Sequence, residues 1–120
     1  MKSSIEAGDI LLDHAGAVTK ILVVDEAASI FHIRLYRGAH ASAESVLAAL
    51  EADALEWSIG HAPVDAPSFG KAQYTRVTNE AVREDELEGY RLYVGGMKQA
   101  AASSGDGFLA KFWRIFGGNA

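Results

Sequence analysis

The chain has 120 residues, 49% of them hydrophobic and 22% charged, the size and make-up of one globular domain with a sizeable core. Its formal net charge of −5 argues against a surface that binds chiefly by neutralising phosphates, so nucleic acid is not an expected partner. The absence of cysteine excludes disulfides, thiolate catalysis and every cysteine-based zinc site.

The first ten residues, "MKSSIEAGDI", hold no apolar core of signal-peptide length, and no segment is long enough to span a membrane; a cytoplasmic protein is the expectation. "GDILLD" and "AVTKILVVD" are short, apolar and rich in β-branched residues, with a turn at His14-Ala15-Gly16 between them. Asp25 to Ala28 then connects to "SIFHIRLYR", which makes an antiparallel meander of three strands. Ile21 to Val24 is apolar without alternation, so both faces of that middle strand should be covered. In "FHIRLYRG" side chains alternate: Phe31, Ile33 and Leu35 share the face predicted to be core, and His32, Arg34 and Tyr36 the face predicted to be surface.

In "SAESVLAALEAD" the period changes to that of a helix, with Ala43, Val46, Leu47 and Leu50 on one side and Ser42 as N-cap. "LEWSIG" returns to strand alternation, "HAPVDAPSFGK" with both prolines reads as loop or one helical turn, and "AQYTRVT" is a further strand. A helix beginning near Arg83 places Glu84, Asp85 and Glu86 in its first turn, where the helix dipole favours them; Leu87, Tyr90, Val94 and Met97 follow at helical spacing, and Gly95-Gly96 is where it kinks or ends. The resulting organisation is an α+β domain over 1–102, a linker over 103–107 ("SSGDG") and an amphipathic C-terminal helix over 108–120.

Several groups compete as sites. His32, Arg34 and Tyr36 could hold an anionic ligand through a guanidinium clamp and an imidazole proton carrier, but the solvent side of a half-buried strand has the same composition. His61, beside Pro63, joins them as a ligand- or partner-binding candidate, although a loop-capping or core-edge histidine reads the same way. The four histidines, His14, His32, His40 and His61, form no recognised ligand pair, so neither a metal nor another cofactor is assigned. Glu84, Asp85, Glu86 and Glu88 read as the charged first turn of a solvated helix, with an acidic surface for a basic partner as the lesser alternative. No catalytic residue is assigned, because nucleophile elbow, phosphate loop, dinucleotide fingerprint and zinc-protease motif are all missing from the sequence. In the tail, Phe108, Phe112, Trp113 and Phe116 with their neighbours must be covered, by the domain itself, by a second copy in a homo-oligomer or another protein, or by a membrane surface that the acidic charge disfavours.

Together "GDILLD", "FHIRLY", "IGHAP" and "ELEGYRLY" resemble a pattern in small, poorly characterised bacterial proteins, some of them of toxin-immunity or accessory type. The resemblance spans Gly8 to Val94, leaves the tail outside and carries over no active-site residue. It implies a bacterial cytoplasmic binding protein. The expected fold is therefore α+β, a curled antiparallel sheet of about five strands resembling an SH3-like partial barrel, with two or three packed helices. The expected function is a non-enzymatic module that binds a protein; the alternative is a small-molecule binder or enzyme with a pocket around His32, Arg34 and Tyr36. Convergence of those side chains on one cavity separates the two.

Overall fold

The structure, a computed structural model, describes residues 5–71 and 73–103. Five strands, β1 (Asp9–Asp13), β2 (Val18–Asp25), β3 (Ile30–Tyr36), β4 (Trp57–Asp65) and β5 (Tyr74–Asn79), form one antiparallel sheet in the order β4-β3-β2-β1-β5. The sheet does not close: β4 and β5 remain its two edges. Helices α1 (Ala43–Glu51), α2 (Ala66–Lys71) and α3 (Glu88–Ser103) complete the α+β fold, and a single 3₁₀ turn, Glu84–Leu87, leads into α3. Of the linker expected over 103–107, Ser103 is instead the last residue of α3; its remainder and the C-terminal helix expected over 108–120, with Phe108, Phe112, Trp113 and Phe116, lie outside the described residues.

Local chemistry sets these connections. At the β1–β2 turn, Asp13 Oδ1 accepts from the backbone N–H groups of Ala15 and Ala17, both at 2.9 Å. Gly16 there has φ +90°, and an added Cβ would lie 2.9 Å from the His40 carbonyl oxygen, so only glycine fits. Ser42 caps α1 by accepting from the Ser45 N–H at 3.2 Å.

Both faces of the sheet are covered. On one, Leu11, Ile21, Phe31 and Ile33 are buried beneath Ile5, Phe69 of α2 and Tyr74; the Phe31 and Phe69 rings meet edge to face, 5.4 Å apart. On the other, Ile10 and Val18 pack with Val46 of α1, and α3 lies over β3 and β4. The unbroken apolar run in β2 has a local cause: the register shifts between Ile21 and Val23, and the extra residue, Leu22, is as buried as Ile21.

Two expectations are corrected. "HAPVD" is not loop but the second half of β4, which keeps Pro63 because an edge strand needs only one side of its hydrogen-bonding groups paired. The row His32, Arg34 and Tyr36 is not a solvent face: His32 and Arg34 are buried and Tyr36 is half-buried, because α3 and the 3₁₀ turn cover it.

Candidate functional site

The polar row on β3 meets partners from three other elements. His32 Nδ1 and His61 Nε2, from adjacent strands, are 2.9 Å apart, with ring centroids 5.1 Å apart and planes within 14°. Both histidines are buried, so the bond joins two neutral imidazoles, one donating and one accepting. Tyr90 and Tyr93 of α3 close over them, their rings 4.7 and 5.2 Å from His32, and Tyr93 5.4 Å from His61. The helix comes this close because residue 89 is glycine: a Cβ there would fall 2.6 Å from His61 Cβ.

Burial lowers the pKa of both imidazoles. For His61 the lowering reaches about 4, burial first and the neighbouring His32 second. His32 is lowered by burial too, against the opposing pull of the Asp25 carboxylate. His61 Nδ1 is buried without a hydrogen-bond partner. It is the less costly as a bare lone pair, which makes Nε2–H the donor to His32.

Next along the row, cross-strand neighbours Lys20 and Arg34 share one buried carboxylate. Lys20 Nζ lies 3.0 and 3.2 Å from the two Glu86 oxygens, 3.2 Å from the Ala81 carbonyl and 3.5 Å from Glu80. Arg34 Nη1 is 3.9 Å from Glu86, its Nε donates to the Gly60 carbonyl at 3.2 Å, and its guanidinium lies 4.9 Å from the Trp57 ring centroid. The β3–β4 register shifts beside Arg34, which is what turns the Gly60 carbonyl towards it. Glu86 also accepts from the Arg83 backbone N–H at 2.8 Å, so one carboxylate ties the start of the 3₁₀ turn to the centre of the sheet. Burial and the Glu86 carboxylate push the Tyr36 phenol above its usual range, opposed by Arg34.

The sequence candidates thus separate. His32 and His61 come together, Arg34 joins an ion cluster, and Tyr36 packs against the core around Ile10, Val18 and Val46. His14 lies exposed in the first turn, and His40 pairs with the Ser45 hydroxyl at 2.9 Å. The acidic turn is not wholly solvated either: Glu84, Asp85 and Glu88 are exposed, whereas Glu86 is only 1% exposed. Lys20 and Tyr93 were not singled out from sequence, and Glu86 was read there only as part of a solvated first turn. A signal existed for the first, since one lysine inside "VTKILVV" on a strand covered on both faces demands a buried counter-charge.

A cleft of about 300 Å³ opens at the β2–β3 hairpin, lined by Val24, Asp25, Glu26, Phe31 and others, but by none of His32, Arg34, Tyr36 or His61. Among the described residues no group of three or more histidine, aspartate or glutamate side chains could hold a metal ion, and no helix is long and apolar enough to cross a membrane. No protein-family model, curated protein or solved structure matches this chain.

Proposed function

We propose that the protein is a non-enzymatic binding module of immunity or accessory type, and that its partner is another protein docked along β4 at Trp57 and Ile59. The observation that carries this reading is the exposure of those two side chains, 51% and 40%, on an edge strand. The Arg34 guanidinium packs against the Trp57 ring, so this anchor is already ordered and loses little conformational freedom on binding. The polar residues that would serve catalysis are spent on one another inside the fold, and a substrate would have to displace α3 to reach them. The 3₁₀ turn that reaches Arg34 through Glu86 carries Glu84 and Asp85, paired with Arg91 and Arg83, and exposed Glu88 follows it, so the partner segment is apolar with a lysine or arginine at its margin to meet Glu88.

The test is affinity purification of the tagged full chain, comparing wild type with Trp57→Ala, Ile59→Asp and, as a control at another exposed apolar position, Leu47→Ala. A protein held by wild type and by the control, but at least about 10-fold less by the β4 variants, is the expected result. Equal retention by all four, or retention of a small molecule alone, contradicts the proposal.

A further inference from the structure

We infer that the His32–His61 pair is an acid-sensitive latch for α3: proton uptake at the pair releases this helix from the sheet while the sheet itself stays folded. The geometry leaves no accommodating way to add a proton. The 2.9 Å contact between His32 Nδ1 and His61 Nε2 needs one bare nitrogen, and a pair protonated on all four nitrogens faces two N–H groups at that distance. His61 Nδ1 is buried without a hydrogen-bond partner, so a proton placed there creates an N–H with nothing to accept it.

The groups around the pair do not compensate a positive charge. From α3 it meets the rings of Tyr90 and Tyr93. From β2 the Asp25 carboxylate acts on His32 and does not offset its burial. Along the row stand Arg34 and Lys20, with Glu86 engaged by Lys20. Relief comes most readily by lifting the cover. Helix α3 is the element whose contact with the sheet is centred on these rings: Gly89 sits against His61, Tyr90 and Tyr93 over both imidazoles, and Leu92 and Met97 are already partly in solvent. The sheet has its own cores around Ile21 and Phe31 and around Ile10 and Val46, and among the described residues neither includes a side chain of α3. Opening therefore uncovers a face bearing His32, His61, Tyr90 and Tyr93 in acid and covers it again at neutral pH.

The experiment is amide hydrogen exchange on the intact chain at pH 7 and pH 5, corrected for the intrinsic pH dependence of exchange, comparing amides of α3 with those of β2 and β3. With His61 at about 4 in the closed form and 6.5 when released, the open fraction of α3 rises about 20-fold between these pH values. The expected result is a loss of that order in α3 protection, α3 amides less protected than those of β2 and β3 at both pH values because the helix opens without the sheet, and a smaller pH-dependent loss in His61→Phe, where His32 alone remains. Protection of α3 equal to that of the sheet at both pH values, or unchanged by pH, overturns the inference. Should His61→Phe not fold, Gly89→Ala decides with both imidazoles intact. Its Cβ forces α3 away from His61, so the histidine signal followed by NMR should titrate near 6.5 in this variant and near 4 in wild type. The same low value in both proteins overturns the latch.

Discussion

Replacing Glu86 by leucine leaves Lys20 wholly buried, with the Ala81 carbonyl and a half-exposed Glu80 as its remaining partners. An ammonium stripped of its main counter-charge in the interior costs about 3–5 kcal/mol. Lys20→Met is milder, about 2–3 kcal/mol, because Glu86 keeps the Arg83 N–H and has Arg34 Nη1 and Arg83 Nη2 at 3.9 and 3.8 Å. In the double variant both charges leave together and two apolar chains fill the space, so the loss should fall well below the sum, with a coupling of about 2 kcal/mol. Urea titration at pH 7.5 of the four proteins gives the cycle directly. Single losses below about 1 kcal/mol that simply add would refute the reasoning, since they describe an ion pair in water rather than one enclosed by the sheet and the 3₁₀ turn.

Acid should weaken the whole fold as well as loosen α3. The folded pKa of His61 lies below its unfolded value, so the unfolded chain binds more protons between pH 6.5 and about 4; stability is complete above that window and falls by about 2 kcal/mol from pH 7 to pH 5, as denaturant titration at the two pH values would show. Phe31→Ala should cost about 3–4 kcal/mol by removing the ring that packs on Phe69. Arg34→Ala, which a solvent-facing position would keep within about 1 kcal/mol of wild type, should instead lose about 2 kcal/mol with its Gly60 hydrogen bond and its contacts to Glu86 and Trp57; urea titration of the two variants checks both values.

Much of the fold was legible because it is written in local patterns. The aspartate-led turn at Asp13, the serine cap at Ser42 and the period change after it fixed two strands and a helix where the sequence placed them. The second half of β4 was hidden, since Pro63 reads as loop until its strand is known to be an edge. Alternation gave the faces of β3 correctly but cannot say what covers each one, and a polar row beneath a helix has the same spelling as a polar row in water. The cover was half visible: Leu87, Tyr90, Val94 and Met97 mark an amphipathic helix, yet the residues that land on the histidines are Gly89, Tyr90 and Tyr93. The register shifts at Leu22 and beside Arg34 leave no mark in composition, and they decide which carbonyl Arg34 meets.

That the row on β3 is interior, and that the histidines in it are held against each other rather than offered to a ligand, is the central claim. Timed modification with diethyl pyrocarbonate at pH 7, read histidine by histidine by mass spectrometry, tests it on the unaltered chain. Exposed His14 should react first, while His32 and His61, both deeply buried and hydrogen-bonded to each other, stay unmodified until the protein is denatured. If His32 and His61 react in the folded protein as fast as His14, the row lies open to solvent and the account of it as interior structure is wrong.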